Sequence, residues 1–275
     1  MTAPAASWNR IAAVAWKDAA ELARNPGAVL PAVAMVFGSI LPAFVVVVGA
    51  PMIAGEPLAS SGDFLEGAQA AMIRIPELRG LNGNGLIQAY LFHQFALLLL
   101  LVPIVGAMAL ATHAVIGEKQ SKALEPMLAT PLSTMELLAA KTLTPFVFAL
   151  LLTWVAVALY VGLAALVSEP GVWRALLGVR TLLMFVVLGP LVELAALQVS
   201  VIVSSRTNDP RSAQQLSSLL VLPVTAVFIA QLSGALFVGP AALALGAVVC
   251  GVFNGVLLWM GVRVFQRETI LMRWR

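Results

Sequence analysis

Six long apolar stretches divide this chain, at roughly residues 28–50, 89–112, 142–167, 176–203, 214–236 and 240–262. Crossing a bilayer as a helix takes about 20 mostly apolar residues, and each stretch meets that length. In hydrocarbon every backbone N–H and C=O must be paired, and runs this long satisfy that need as helices. The chain is therefore expected to be an all-α, polytopic membrane protein with six transmembrane helices. Composition agrees: 61% of the 275 residues are hydrophobic, only 11% are charged, and the mean hydropathy is +0.98. A soluble domain carries about 25% charged residues. Pro31, Pro42, Pro103, Pro190 and Pro223 fall inside the stretches. Such prolines are tolerated where neighbouring helices re-satisfy the freed backbone.

Basic residues set the orientation. With the N-terminus in the cytoplasm, the inner segments hold Arg10, Lys17, Arg24, Lys119, Lys122, Lys141, Arg206, Arg211, Arg263, Arg267, Arg273 and Arg275. The outer segments keep only Arg74, Arg79, Arg174 and Arg180. Both termini are thus expected on the cytoplasmic side. The net charge of +3 forms no dense basic patch, so nucleic acid is not an expected partner. Residues 1–27 have scattered charges and no continuous apolar core, so no cleavable signal peptide is expected and the first span serves as the targeting signal. The lone Cys250 rules out an intrachain disulfide and a multi-cysteine metal site.

Residues 7–25 place Arg10, Lys17, Glu21 and Arg24 on one helical face and Trp8, Ile11, Ala12, Ala15, Ala19 and Leu22 on the other. This pattern predicts an interfacial helix, with Trp8 and Trp16 as anchors, or equally an amphipathic leader with no further role. The long outer connection, about 51–88, carries Glu56, Asp63, Glu66 and Glu77, with a short helix expected around 63–74. The last two spans are joined by a tight turn near Phe237 to Pro240 and are expected to pair antiparallel. Gly251 and Gly255, four apart, suit close helix contact.

Glu193 lies about 11 residues from the inner end of the fourth span, hence about 16 Å deep. Gly189, Ser200 and Ser204 share its helical face and complete a polar stripe. An ionised carboxylate facing lipid at that depth costs at least about 2.5 kcal/mol, so Glu193 is expected to face a cavity or a neighbouring helix. Two readings stand: Glu193, Ser200 and Ser204 line a transport path, or they serve packing. His93 and Gln94 are expected at the interface, and Arg180 to snorkel outward.

Residues 113–141 form a charged island between two apolar runs and read as a short amphipathic helix on the water side. Leu124, Met127 and Leu128, at i, i+3 and i+4, offer an apolar ridge to a partner groove. Glu118 and Lys119 open the segment, and Glu125 lies one residue from the ridge. The alternative is a solvated loop that touches only headgroups. No G-x-x-x-x-G-K-[ST] phosphate loop, H-E-x-x-H or G-x-S-x-G occurs, and His93 and His113 are too far apart to share a ligand.

The segment Gly117-Glu118-Lys119-Gln120-Ser121-Lys122-Ala123-Leu124-Glu125-Pro126-Met127-Leu128-Ala129-Thr130-Pro131-Leu132-Ser133 is similar to the pattern E-R-E-x-G-T-L-E-x-L-L-x-T-P-x-S, with Lys141 matching a following lysine. Lys122-Ala123 stand where many relatives have Gly-Thr. Trp16-Lys17-Asp18 and Arg24-Asn25-Pro26 are similar to the entry-helix pattern K-E…R-N-P of the same relatives, and Ser205-Arg206, Asp209-Pro210-Arg211-Ser212-Ala213-Gln214 and the tail Phe265-Gln266-Arg267-Glu268 with Ile270-Leu271 resemble them too. On these motifs the chain resembles the membrane permease subunits of ABC exporters of the ABC type-2 class, nearly end to end.

The resemblance implies two permease subunits per transporter, identical or homologous, each forming half of the translocation pathway. It also implies two separate ATP-binding-cassette ATPase subunits, which bind the ATP and Mg; this chain binds no cofactor and is no enzyme. Glu118, Lys119, Leu124, Glu125, Met127 and Leu128 would form the ATPase-coupling helix, cytoplasmic and between the second and third spans. The expected division is an interfacial helix at 1–27, a transmembrane domain at 28–262 and a cytoplasmic tail at 263–275. The transmembrane domain includes the outer loop 51–88 and the coupling loop 113–141. The expected location is a prokaryotic plasma membrane. Two rivals remain open: an ion-coupled secondary transporter using Glu193, and a non-transporting scaffold subunit.

Overall fold

The computed structural model describes residues 16, 20, 24, 26–60, 62–120, 134–206 and 209–264. Among them every regular element is helical, and six helices are long and apolar enough to cross a membrane. The spans are Val29–Ala54, Gly83–Thr112, Thr142–Val167, Val179–Ser204, Gln214–Leu232 and Pro240–Gly261. This is the expected all-α polytopic architecture. Of residues 7–25, only 16, 20 and 24 are described, so the predicted interfacial helix lies almost wholly outside the described residues, as does the tail from 265 onward.

Span 2 is the hub. In its most apolar stretch 89% of residues are buried within the subunit, against at most 39% in any other span. Span 1, span 3 and span 4 pack around it, spans 1 and 4 most extensively. Its composition permits this: Gly106 sits against Ala149 of span 3 and Ala32 of span 1, where an added Cβ would be tight. Phe44, Phe92 and Tyr160 join spans 1, 2 and 3 in an aromatic triangle with centroids 5.2–5.8 Å apart. The outward sides of spans 1, 3, 5 and 6 expose Leu, Val, Phe and Trp, which suits hydrocarbon.

Prolines shape the local helix. Pro190 has no N–H and crowds the preceding turn, and the six residues before Gly189 form a wide π-helical stretch, Leu183–Leu188. A narrow 3-10 stretch, Ala96–Leu100, precedes Pro103 in span 2.

Span 2 starts six residues earlier than hydropathy predicts, because polar Gln88 is part of its buried helix. Gln88 Oε1 accepts the Glu169 N–H at 2.8 Å, so this polar residue is satisfied inside the protein rather than by water. The connection ahead of it carries the expected short helix, at Gly62–Met72, then a 3-10 turn at Pro76–Gly80.

The expected pairing of the last two spans is not what forms. Span 5 packs on span 2, with Phe228 against Phe95 at 5.8 Å, while span 6 packs on span 4. Asn254 of span 6 donates to the Leu191 carbonyl at 2.8 Å and accepts from Gln198 at 2.9 Å, both in span 4. A short turn fixes direction, but these polar contacts choose the neighbour. Gly251 and Gly255 have open space around them within the subunit; the buried residue between them is Asn254.

Candidate functional site

Three polar regions merit a functional reading. The first is the island. The helix of span 2 continues to Gln120, eight residues past Thr112, and the helix of span 3 begins at Thr134, eight residues before Thr142. Two helical extensions of about 12 Å each therefore project beyond the spans. Glu118 and Lys119 lie on the first extension. Leu124, Glu125, Met127 and Leu128 lie outside the described residues.

The second region is the Glu193 stripe. Glu193, Ser200 and Ser204 are each 0% exposed and lie on the helix Gly189–Arg206. At 100° per residue, steps of 7 and 11 bring both serines within about 20° of Glu193. Neighbouring Ala196, Leu197 and Val201 pack with Leu101, Ile104, Ala107, Met108 and Ala111 of span 2 and Ala149 of span 3. The stripe thus faces the subunit's own interior. Both carboxylate oxygens of Glu193, and the hydroxyls of Ser200 and Ser204, lack a well-formed hydrogen bond in the protein, and the Leu150 backbone of span 3 is close enough to act weakly on the carboxyl.

The third region, which sequence reasoning missed, lies near the opposite membrane face, the one bearing the 55–82 connection. Arg180 is buried at the start of span 4 instead of snorkelling outward, and His93 and Gln94 are buried in span 2 instead of interfacial. The Arg180 guanidinium donates to the Val238 carbonyl at 2.9 Å, the His93 carbonyl at 2.8 Å, His93 Nδ1 at 3.2 Å and Gln231 Oε1 at 3.3 Å. Gln231 in turn donates to the Gln94 carbonyl at 3.3 Å, and Gln94 to the Tyr90 hydroxyl at 2.7 Å. One cation thereby joins spans 2, 4 and 5 and the turn before span 6. Satisfied donors explain the burial: a guanidinium in hydrocarbon needs acceptors, and here carbonyls, a ring nitrogen and an amide oxygen supply them. The signal was available, since polar residues within spans pair with one another, but their partners are 51 to 87 positions apart.

The same face is braced from outside. Glu77 accepts the Val179 N–H at 2.9 Å, at the N-terminus of span 4, where a carboxylate also complements the helix dipole. Arg74 lies over the Phe237 ring, 5.0 Å from its centroid, tying the connection to the turn between spans 5 and 6. Among the described residues, no three His, Cys, Asp or Glu side chains group as a metal site.

A family model described as ABC-2 family transporter protein matches residues 69–248. The chain belongs to that family. The match runs from the helix of the 55–82 connection through spans 2 to 5 and into span 6. It takes in all three polar regions, and it makes this polytopic protein a permease, a membrane component of transport. The resemblance carried by the island motif is thereby upheld. No curated protein matches the chain.

Proposed function

We propose that this permease forms half of the translocation pathway of an ATP-driven exporter and is driven by a separate ATP-binding-cassette subunit that holds the ATP and Mg. Family membership over residues 69–248 carries the proposal, and the matched region includes the island between spans 2 and 3. No phosphate loop occurs in residues 1–275, and in this reading a second polypeptide supplies the energy. Helical extensions about 12 Å long suit the island to meet such a partner in water and to pass rigid-body motion into the hub span. Leu124, Met127 and Leu128 would seat in the ATPase groove, flanked by Glu118, Lys119 and Glu125. In this reading the island and both termini are cytoplasmic, the membrane is a prokaryotic plasma membrane, and a second permease, identical or homologous, completes the pathway.

The direct test is Leu124→Asp with Leu128→Asp in the full chain. Charge placed in an apolar groove costs several kcal/mol of association. The ATPase should dissociate, or its turnover lose dependence on the permease, while the thermal stability of the permease itself is unchanged. Normal assembly and transport in the double variant would reject the coupling role.

A further inference from the structure

We propose that Glu193, Ser200 and Ser204 form a proton site inside the subunit, in which the Glu193 carboxyl exchanges its proton with the aqueous face at the island by way of the two serine hydroxyls. This goes beyond the exporter reading and does not depend on it.

The first observation is that these groups are buried but not satisfied. Glu193, Ser200 and Ser204 are 0% exposed, and neither carboxylate oxygen nor either hydroxyl makes a well-formed hydrogen bond within the protein, the Leu150 backbone of span 3 acting only weakly on the carboxyl. Helical hydroxyls ordinarily fold back on the carbonyl one turn earlier, and this chain does so elsewhere. Thr153 bonds the Ala149 carbonyl at 2.8 Å, Thr225 bonds that of Val221 at 3.0 Å, and Ser168 bonds that of Ala164. The stripe departs from that habit, so its hydroxyls remain available as donors and acceptors.

The second observation is direction. From Glu193 the stripe runs along one helix face to Ser204, the last residue of span 4. Spans 2 and 4 run parallel, so Thr112 at the end of span 2 shares that membrane face. The helix Pro210–Ser217 packs on both. Thr112 and Ser217 are likewise buried with unbonded hydroxyls. Buried hydroxyls therefore concentrate between the carboxyl and the island face.

The chemistry selects a proton over a metal ion. Ser200 is about 10 Å along the helix from Glu193, too far for both to ligate one cation at 2–3 Å. An ionised carboxylate in apolar surroundings without partners is costly, and taking up a proton removes that cost. Only O–H bonds are made and broken: a proton leaving Glu193 passes along water molecules that the two serine hydroxyls would hold across the gap of about 10 Å, and one from the aqueous face replaces it. Few titratable groups compete. Spans 2, 3 and 6 and the Pro210–Ser217 helix pack on this helix. Within them His93 is held by Arg180 and the Ala175 carbonyl and Tyr90 by Gln94, both at the opposite face, Tyr160 is bonded to the Phe92 carbonyl, Cys250 lies against Asn254, and Arg211 is exposed. His113, Glu118, Lys119, Glu136, Lys141 and Arg263 stand in sequence at the ends of those helices.

Infrared spectroscopy of the full chain in liposomes tests this. At neutral pH the wild type should show a carboxylic C=O band that Glu193→Gln removes. If that variant fails to fold, carbon-13 labelling of glutamate carboxyls assigns the band instead. On transfer to D2O the band should shift promptly in wild type and in Thr153→Ala, whose hydroxyl is bonded to its own helix. In Ser200→Ala with Ser204→Ala the shift should slow by about tenfold or more. Absence of a protonated glutamate band, equal exchange in the serine variant, or equal slowing in Thr153→Ala would each overturn the proposal.

Discussion

One nitrogen of Arg180 grips both ends of His93: Nη1 donates to the His93 carbonyl at 2.8 Å and to its ring Nδ1 at 3.2 Å. Because arginine only donates, Nδ1 must accept, and the ring proton sits on Nε2, which donates to the Ala175 carbonyl at 3.1 Å. Span 2, the start of span 4 and the short helix before it are thus fixed by one imidazole in one tautomer.

Replacing Arg180 tests that network. Arg180→Met removes four contacts and leaves buried carbonyls at Val238 and His93 without this donor. Interhelical hydrogen bonds in membranes average about 0.6 kcal/mol each, so a loss of roughly 2–3 kcal/mol is expected. Arg180→Lys should do little better, because an ammonium lacks the planar fork. Thermal unfolding in nanodiscs reads both; an unchanged Tm in the Met variant would refute the structural role.

Gly178 is held small by Glu77. A Cβ there would overlap the Glu77 carboxyl group, so Gly178→Ala should expel it from the Val179 N–H. The expected loss is roughly 1 kcal/mol. In a Glu77→Ala background the same substitution should be nearly silent, since the clash and the cap vanish together. Additive losses in that cycle would disprove the contact.

Much of this was legible beforehand, for identifiable reasons. Span 3 was placed to the residue, at 142–167, because charged Lys141 and the Ser168-Glu169-Pro170 turn mark its ends. Span 2 was started late because Gln88 reads as aqueous when its partner, the Glu169 amide, is invisible in sequence. His93 and Gln94 read as interfacial, and Arg180 as snorkelling, for the same reason. The Glu193 face was readable from helical period alone. Whether that face met a partner subunit or its own hub was not, because that depends on which span packs where.

Asp209 caps the helix Pro210–Ser217 on the island side. Hydrogen bonds from the Ser212 hydroxyl, at 2.8 Å, and from the Ser212 and Arg211 amides hold its carboxyl below the usual range. A depressed acid stabilises the fold above its unfolded value, about 3.9, and loses that contribution as pH falls through the folded value. Asn caps as well but does not titrate. The Tm of wild type should therefore fall relative to Asp209→Asn as the medium is acidified below about pH 4. Parallel curves would contradict the cap.

Asn254 links span 6 to span 4 and should be costly to lose. Asn254→Leu keeps the branched shape and the number of heavy atoms but deletes the bonds to Leu191 and Gln198. A loss of about 0.6–1.7 kcal/mol is expected. Asn254→Ser, with a shorter reach, should recover little of it. Full stability of the Leu variant would show that packing alone holds span 6.

The central claim, a permease driven by a separate motor, is tested most directly by native mass measurement of the transport-active complex extracted from its own membrane. The account predicts two permease chains and two ATPase chains. Transport by an assembly that contains this chain and no ATPase subunit would contradict it.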